Sequence, residues 1–376
     1  MNLHSTFLNV DLENPIIIAS SPLTESIENI ERCFFNGAGG IIAKTCTSHL
    51  TDNNGFRRCY FNSKGVWITS GYNREIQDVK LSKNILQESI AKLHKPIFAS
   101  VTESTLNSEI WLQSCNIIAD SGVSGIQLDF FYIDNLIGKD DFKSAFIDLL
   151  GTLKNKIGIP IFPKLNINLP AKFISEIFIE ADIKAVSLLD SIKVCPPFDI
   201  FKQGKGRMIN IEKPYSTSLF GTWQYPLTLK YTYEMVKSGL ETCSGGGIQN
   251  VENIIELLML GSSAVQIASE VLFNGYSRII ELKVGLEKFL ITHGYRNLKE
   301  LKSLALTDMG TPDEVRYLNK KVSFNSTLCN KCQLCVQQVF CNAIKFANYE
   351  IAIDMEKCEG CNLCVSLCPS NALYFS

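Results

Sequence analysis

The sequence predicts an α/β protein, a closed barrel of eight parallel strands followed by a small, cysteine-rich α+β unit. Two observations lead to this prediction. Short, continuously apolar runs alternate with segments of helical periodicity along most of the chain, a pattern typical of parallel strands buried on both faces. Eight of the 14 cysteines then fall after residue 328, and such crowding indicates bound metal rather than disulfides.

Eight apolar runs have the length and composition of barrel strands, and sequence able to form a helix follows each of them. The runs are Ile16–Ala19, Gly40–Lys44, Ile97–Val101, Gly125–Asp129, Ile161–Leu165, Ala185–Leu189, Thr242–Gly245 and Ala264–Ile267. Eight such units predict a TIM barrel. A short hairpin is predicted before the first run, and the long intervals 46–95 and 190–240 are predicted to hold active-site loops or extra strands.

A glycine-rich turn, Ser244-Gly245-Gly246-Gly247, follows the seventh run and precedes an amphipathic segment that Asn250 can cap. Glycines let backbone N–H groups approach a ligand, and N–H groups at a helix start favour an anion. The eighth run leads into Ala268-Ser269. Loops after strands seven and eight are the usual phosphate site of such barrels, so the sequence favours a phosphate-bearing cofactor over a simple connecting turn.

Function in such barrels gathers at the carboxyl ends of the strands. Two lysines, Lys44 and Lys164, stand at the ends of apolar strands. Because a lysine is almost never fully buried without a partner, an anionic or electron-rich ligand is expected there. The alternative is a lysine whose apolar stem extends to the rim of the barrel.

Composition and charge narrow the class of protein. Hydrophobic residues make up 46% of the chain and charged residues 20%, which allows a large core. The net charge of −2 gives no reason to expect nucleic acid as a partner. No apolar run approaches the ~20 residues of a membrane span, and the start lacks a basic-then-apolar signal, so a cytoplasmic protein without a membrane span is expected. No Gly-x-Gly-x-x-Gly follows a strand, so no Rossmann-type nicotinamide or FAD site is predicted.

The cysteine-rich end has the double pattern of a ferredoxin-like domain, predicted over residues 328–376. Three thiolates spaced Cys-x2-Cys-x2-Cys bind one face of a [4Fe-4S] cluster, and the fourth cysteine of each run ligates the other cluster. The first cluster is predicted on Cys329, Cys332, Cys335 and Cys368. The second is predicted on Cys341, Cys358, Cys361 and Cys364. Structural zinc is disfavoured because this is not its usual spacing.

One cysteine departs from the internal repeat of this domain. Aligning Asn342-Ala343-Ile344 with Asn371-Ala372-Leu373 places Val339, and not Cys341, opposite Cys368. Cys341 is therefore expected to reach its cluster through a rearranged turn, or else the second cluster is held less securely.

Several phrases occur in a fixed order: Asn14-Pro15 before Ala19-Ser20, Gly37-Ala38-Gly39-Gly40-Ile41 before Lys44-Thr45, Pro163-Lys164-Leu165, Gly221-Thr222 with Pro226-Leu227, Ser244-Gly245-Gly246-Gly247-Ile248, and Gly294-Tyr295. In this order they resemble the dihydroorotate dehydrogenase family, including the flavin domain of dihydropyrimidine dehydrogenase, over residues 1–306. The resemblance implies FMN on top of the barrel. It implies phosphate contacts by Gly221, Gly246, Gly247, Ala268 and Ser269. It implies ring contacts by Ala19, Ser20, Lys44, Thr45, Ser100 and Lys164. A lysine near the N1–C2 edge of the flavin would stabilise the reduced, anionic ring.

The chain departs from the family where the substrate would lie. The family usually carries an Asn-x-Ser-Cys-Pro-Asn phrase after strand four, whose Cys or Ser moves a substrate proton. Here Tyr132 stands at the reactive position, and Asp129 and Asp190 stand where the family has asparagines. An ionised aspartate only accepts hydrogen bonds, so a donor-rich or cationic substrate is expected in place of a pyrimidine. Tyr132 is expected to act as general acid or merely to pack, and Lys44, Asp129 and Asp190 are the other candidate catalytic residues.

Residues 307–327 are polar and are predicted to be a connector. The resemblance to dihydropyrimidine dehydrogenase implies that the tail docks on a neighbouring subunit, so a homodimer is expected. The sequence predicts an FMN and [4Fe-4S] oxidoreductase that passes electrons between a small organic substrate and an external ferredoxin or reductase subunit. Two alternatives remain: a true dihydroorotate or dihydropyrimidine dehydrogenase with an unusual pocket, and an electron-transfer subunit whose flavin site has lost its substrate.

Overall fold

The chain divides into two compact units, Met1–Met309 and Gly310–Ser376. The computed structural model describes residues 2–49, 58–62, 65–69, 76–131, 136–138, 141–195, 198–206, 217–310, 314, 318, 320–338 and 341–375. Tyr132 and Val339, which the sequence singled out, lie outside these residues.

The first unit is built on a closed barrel of parallel strands. The barrel strands, first to eighth, are Ile16–Ile18, Gly40–Ile42, Ile97–Val101, Ile126–Asp129, Ile161–Lys164, Ala185–Ser187, Glu241–Gly245 and Ala264–Ile267. Each strand pairs in parallel with the next, and the eighth pairs with the first, so the sheet closes. All eight apolar runs are strands of this sheet, and the predicted TIM barrel is confirmed.

A helix follows every barrel strand and covers the outside of the sheet. The helices are Ile27–Phe35, Val79–Leu93, Ser108–Ala119, Phe142–Lys156, Ala171–Glu180, Tyr225–Lys237, Val251–Met259, Ser269–Asn274 and Ser277–Thr292. Asn250 caps the helix Val251–Met259, as predicted, by accepting a hydrogen bond from the backbone N–H of Asn253. Among the described residues, no helix has the length and apolar character needed to cross a membrane.

The amino-terminal hairpin closes the end of the barrel away from the strands' carboxyl ends. Strands Ser5–Phe7 and Val10–Leu12 pair antiparallel around Leu8 and Asn9, whose positive φ angles of 53° and 60° suit a two-residue turn. Phe7 is fully buried, and its ring lies 5.8 Å from that of Phe98 and 5.2 Å from that of Phe162, edge to face in both cases. The predicted hairpin is therefore confirmed, and it fills the barrel interior below the site.

The two long intervals of the sequence meet in one antiparallel sheet. Its strands, in spatial order, are Ile192–Val194, Thr217–Phe220, Gly65–Thr69 and Arg58–Asn62. Shorter pairs are Cys46–Thr47 with Gln77–Asp78, and Phe198–Asp199 with Lys205–Gly206. The extra strands predicted in these intervals are present.

The second unit contains two antiparallel strand pairs and a short helix, Leu363–Ser366. Val322–Phe324 pairs with Leu373–Phe375, and Ile344–Ala347 pairs with Glu350–Ile353. The first of these strands lies inside the stretch 307–327 that the sequence predicts to be a connector, so this part of it belongs to the second unit.

Candidate active site

A cavity of about 390 Å³ opens at the carboxyl ends of the barrel strands. This volume is within the range of small-molecule sites, roughly 300–1,000 Å³. The predicted residues that line it are Ala19, Ser20, Lys44, Lys164, Asp190, Gly246, Gly247, Ala268 and Ser269. Apolar side chains that the sequence did not single out, including Phe220 and Phe273, complete the wall.

The glycine turn after the seventh strand presents bare backbone to the cavity. Gly246 and Gly247 have φ angles of 105° and 81°, which side chains rarely adopt. A Cβ atom on Gly247 would lie 2.7 Å from the backbone nitrogen of Tyr225 and 2.9 Å from the carbonyl oxygen of Gly221. Gly221 thus contacts the turn rather than the cavity, and a side chain at Gly247 is excluded on steric grounds.

The loop after the eighth strand brings Ala268 and Ser269 to the same cavity. The short helix Ser269–Asn274 begins there, directly after the strand Ala264–Ile267. The phosphate-site residues expected from the last two strands therefore lie around one cavity.

A buried ion pair lines another part of the wall. The Nζ atom of Lys164 is 3.2 Å from Oδ2 of Asp190, and the side chains are 7% and 20% exposed. Burial alone would lower the pKa of Lys164, but the carboxylates of Asp190 and Asp129 outweigh it and raise the pKa above the ordinary lysine value. The partner that the sequence predicts for this lysine is thus supplied by the chain itself.

Asp129 lies behind the cavity wall rather than in it. It ends the fourth strand, in register with Lys164 on the fifth. Its Oδ2 atom accepts a hydrogen bond from Thr45 Oγ1 at 3.2 Å, and Oδ1 accepts one from the backbone N–H of Phe131 at 3.1 Å. Burial, reinforced by the charge of Asp190, raises the pKa of Asp129, although Lys164 opposes the shift.

Hydroxyl groups connect Asp129 to the cavity. Thr45 Oγ1 lies 2.9 Å from Ser20 Oγ and 3.0 Å from Ser100 Oγ. Ser20 lines the cavity, whereas Thr45 and Ser100 are buried just beneath it. The predicted ring contacts therefore divide into a surface layer and a supporting layer.

Sequence reasoning missed three glutamines of this region. Gln266 lines the cavity, and its Nε2 atom donates to Ser187 Oγ at 2.7 Å. Gln224 also lines the cavity, and its Nε2 atom donates to the carbonyl oxygen of Asp190 at 2.6 Å. Gln127 lies deeper and donates to Ser100 Oγ at 3.0 Å. The available signal was a polar residue inside an apolar strand, as in Ala264-Val265-Gln266-Ile267.

The Oε1 atoms of Gln127 and Gln266 are buried and have no hydrogen-bond partner within the described residues. Buried polar atoms normally have a partner. For Gln266, which lines the cavity, the free acceptor fits a ligand that donates hydrogen bonds.

In the second unit the cysteines come together in the two predicted sets. Cys335 is surrounded by Cys329, Cys332 and Cys368, and these four line one small cavity. Burial and then the neighbouring thiols Cys361, Cys341 and Cys358 raise the pKa of Cys364 to about 11. Cys341 thus lies with the second set. No three metal-binding side chains among the described residues are close enough to share a single metal ion.

Within the described residues, sulfurs of the first set accept several hydrogen bonds. Cys368 Sγ accepts from the backbone N–H of Ala372 at 3.2 Å and lies 3.6 Å from Ser370 Oγ. Cys329 Sγ accepts from the backbone N–H of Lys331 at 3.4 Å. Burial alone would raise the pKa of Cys368, but the hydrogen bonds from Ser370 and from the backbone of Leu373 and Ala372 outweigh it and lower the pKa.

Comparison with known proteins identifies relatives of both units. Residues 2–290 match the family model described as dihydroorotate dehydrogenase, and residues 351–374 match the 4Fe-4S binding domain. The chain is 21% identical over 323 residues to the catalytic subunit of dihydroorotate dehydrogenase B (NAD(+)) from Methanothermobacter thermautotrophicus, covering 81% of this chain and 98% of that one. It is 21% identical over 329 residues to the NAD-dependent dihydropyrimidine dehydrogenase subunit PreA from Escherichia coli K12, covering 81% and 77%. It is 22% identical over 342 residues to the chloroplastic dihydropyrimidine dehydrogenase (NADP(+)) of Arabidopsis thaliana, again covering 81% and 77%.

The family model covers most of the chain, including the whole barrel and its cavity. The second match lies in the cysteine-rich unit. The chain therefore belongs to the dihydroorotate dehydrogenase family, as a flavin-dependent oxidoreductase that also carries a 4Fe-4S binding domain.

Proposed function

We propose that the chain binds FMN in the cavity at the carboxyl ends of the barrel strands and passes electrons between a small organic substrate and two [4Fe-4S] clusters. The observation that carries this proposal is the shared cavity. It is lined at once by the glycine turn, by Ala268 and Ser269, and by the two strand-end lysines.

The wall has the chemistry that FMN requires. The phosphate would lie against Gly246, Gly247, Ala268 and Ser269, with Gly221 holding the turn from behind. The ring would contact Ala19, Ser20, Lys44 and Lys164, supported by Thr45 and Ser100 in the layer beneath. When bound, FMN exchanges a hydride with an organic substrate and single electrons with iron–sulfur clusters. A cationic lysine beside the ring favours its reduced form.

Asp190 is the residue that we expect to select the substrate. It lines the cavity, and its Oδ1 atom accepts from the backbone N–H of Ser191 at 2.7 Å. A carboxylate here presents acceptors only, and the free Oε1 atom of Gln266 adds another. We therefore propose a substrate that is rich in hydrogen-bond donors or is cationic, with Tyr132 as a candidate general acid outside the described residues.

The clusters are the proposed route to an external carrier. The first would be held by Cys329, Cys332, Cys335 and Cys368, and the second by Cys341, Cys358, Cys361 and Cys364. Two relatives are named as a catalytic subunit and as a subunit of NAD-dependent enzymes. This supports a separate ferredoxin or reductase subunit as the partner. We further propose a cytoplasmic homodimer, as the resemblance implies.

Dihydroorotate or dihydropyrimidine oxidation is the second candidate, because relatives carry those names. Asp190, which the resemblance places at one of the family's asparagine positions, speaks against it, because it presents a carboxylate to the cavity. An electron-transfer subunit without a substrate is the third candidate, because the chain already engages both carboxylates: Asp190 pairs with Lys164, and Asp129 is buried.

The first experiment is an ultraviolet–visible spectrum with iron, sulfide and flavin assays on protein purified without oxygen. We expect about eight irons and one FMN per chain, the content of two cubanes and one flavin. About four irons would contradict the second cluster. Iron without flavin would refute the flavin site and leave an electron-transfer subunit.

A substrate screen then separates the two reactions. Flavin reduction is followed with dihydroorotate, dihydrouracil and a panel of cationic and donor-rich compounds, in the native chain and in Asp190→Asn. We expect poor reduction by both pyrimidines in the native chain and faster reduction in the variant, which regains an amide donor. Rapid reduction by a pyrimidine in the native chain would establish the second candidate.

A further inference from the structure

A continuous chain of hydroxyl groups runs from the cavity to a buried carboxylate. Ser20 Oγ lines the cavity and lies 2.9 Å from Thr45 Oγ1, which lies 3.2 Å from Oδ2 of Asp129. Asp129 and Thr45 are each 6% exposed. Every oxygen on this path is thus within hydrogen-bond distance of the next.

The hydrogen bonds along this hydroxyl path all point one way while Asp129 is ionised. A carboxylate only accepts, so Thr45 must donate its single hydroxyl proton to Asp129. Thr45 then accepts from Ser20. When Asp129 is protonated, it can donate to Thr45, and every hydrogen bond on the path can then point the other way. The same atoms therefore support two hydrogen-bond patterns that differ by one proton.

A side branch reinforces the first of these patterns. Gln127 Nε2 donates to Ser100 Oγ at 3.0 Å, and Ser100 Oγ lies 3.0 Å from Thr45 Oγ1. With its oxygen already accepting from Gln127, Ser100 is free to donate to Thr45. The branch ends in the barrel interior, so Ser20 is the route from Thr45 to the cavity.

The charges around Asp129 allow both its ionised and its protonated form. Lys164 on the next strand and Asp190 beyond it act on Asp129 with opposite signs, and Lys44 lines the cavity at the end of the second strand. Burial and Asp190 raise the pKa of Asp129, which brings proton uptake closer to neutral pH.

We propose that Asp129 stores the proton that the substrate exchanges at this site, and that Ser20 and Thr45 carry it between the cavity and Asp129. The inference rests on the proposed flavin site. In dehydrogenation of a CH–CH bond the substrate loses a hydride and a proton. Ser20 takes up that proton and gives its own to Thr45, and Thr45 gives its own to Asp129. Each hydroxyl breaks one O–H bond and forms one, and the carboxylate gains one.

Infrared spectroscopy tests the path on the purified holoprotein without turnover. The carboxylic-acid C=O band of Asp129 is identified by its absence in Asp129→Asn, at a pH low enough to protonate it. The rate at which the band shifts after transfer to D₂O then reports proton exchange with the cavity. We expect Thr45→Val, which removes the hydroxyl and keeps the shape, to slow this shift about 10²-fold, the lower range of positioned proton transfer.

Thr102→Val is the matched control. The Thr102 hydroxyl donates to the main-chain oxygen of Asp129 at 2.7 Å and Thr102 is also buried, but it is not on the path. Its removal should leave the exchange rate of the band unchanged. Equal rates in Thr45→Val and Thr102→Val would overturn the proposal, as would the absence of any band assignable to Asp129.

Flavin content is measured on the same samples, so failure of the proposed function is recognised separately. Protein that lacks flavin still gives the Asp129 band and its exchange rate. In flavin-loaded protein, photoreduction with a pH-indicator dye adds a second measurement. Proton uptake should be slowed in Thr45→Val and be as fast in Thr102→Val as in the native chain.

Discussion

The Nζ atom of Lys164 lies 3.2 Å from Oδ2 of Asp190, and this ion pair fixes the charge of the cavity wall. Lys164 ends the fifth barrel strand, and Asp190 follows the sixth, so the pair depends on the parallel register of neighbouring strands. Taking two charges out of water is costly, and the loss of one partner leaves the other charge uncompensated. The pair therefore affects the stability of the fold as well as the charge that the cavity presents to a substrate.

Asp190→Asn should lower the free energy of unfolding by about 1–3 kcal/mol, the cost of leaving a buried polar group without its partner. The fifth of the Asp190 side chain that remains exposed keeps the loss below that of a fully buried pair. Urea denaturation measures it. Asp182→Asn is the control, because Asp182 pairs with Lys154 and Lys184 at an exposed site, and this change should have little effect. Equal losses in both variants would contradict the prediction.

The raised pKa of Asp129 predicts a pH dependence of stability. The folded chain binds this proton more tightly than the unfolded chain, so the contribution is fully present below the ordinary aspartate pKa. It is lost as the pH rises through the folded-state pKa. Asp129→Asn should therefore be more stable than the native chain at neutral pH, and the difference should shrink or reverse in acid. Thermal unfolding followed across this pH range checks it, and parallel curves for the two proteins would be evidence against it.

The steric limits around Gly247 predict a selective loss of cofactor. A Cβ atom there would lie 2.7 Å from the backbone nitrogen of Tyr225, so Gly247→Ala must displace the turn that faces the cavity. We expect the affinity for FMN to fall at least about 10-fold, which corresponds to ~1.4 kcal/mol of binding free energy. Binding of added FMN, followed by quenching of its fluorescence, measures the affinity.

Gly239→Ala separates this collision from backbone strain. Gly239 has φ of 82°, nearly that of Gly247, but a Cβ atom there meets nothing within 4 Å. Both variants carry the strain of an alanine in the left-handed region, and only Gly247→Ala should lose flavin. If both lose it equally, the glycine turn is not the phosphate site.

The position of Cys341 predicts the iron content of a variant. Cys341 lies with Cys358, Cys361 and Cys364, although it stands two places beyond the residue that the repeat would place opposite Cys368. Cys341→Ser should therefore lower the iron content from about eight to about four per chain, the content of one [4Fe-4S] cluster. Cys195→Ser, at an exposed cysteine of the first unit, should keep all of it. An unchanged iron content in Cys341→Ser would show that the second cluster does not need this thiol.

The barrel could be predicted from sequence because its signals are local. Each strand is a short apolar run that is buried on both faces, and Asn250 marks the start of a helix by its own hydrogen bond to Asn253. These features depend on neighbours in the chain. The grouping of Cys364 with Cys358 and Cys361 is predictable for the same reason, because the spacing of the motif determines it.

The site could be predicted only in part, because its contacts join distant segments. The hydrogen bond between Thr45 and Asp129 spans 84 positions, and Gln266 reaches Ser187 across 79. No pattern in one segment reports such a pair. Sequence reasoning therefore named Thr45 and Asp129 separately and gave no sign that one lies behind the other.

The hydrogen bonds at Cys368 predict that one substitution shifts the reduction potential of the first proposed cluster alone. Hydrogen bonds to a ligating sulfur favour the reduced, more negative cluster and raise its potential. Ser370 Oγ lies 3.6 Å from Cys368 Sγ, and Ala372 and Lys331 donate backbone hydrogen bonds to sulfurs of the same set. Ser370→Ala should therefore lower the potential of the first cluster and leave that of the second unchanged.

A redox titration followed by electron paramagnetic resonance measures both potentials in one sample. Ser366→Ala is the control, because Ser366 is exposed on the helix Leu363–Ser366 and makes no hydrogen bond to a cysteine sulfur within the described residues. It should shift neither potential. Because the hydroxyl of Ser370 is near one ligand of one cluster, its effect must be confined to that cluster. Equal shifts of both potentials in Ser370→Ala would mean that the variant acts through the folding of the whole unit.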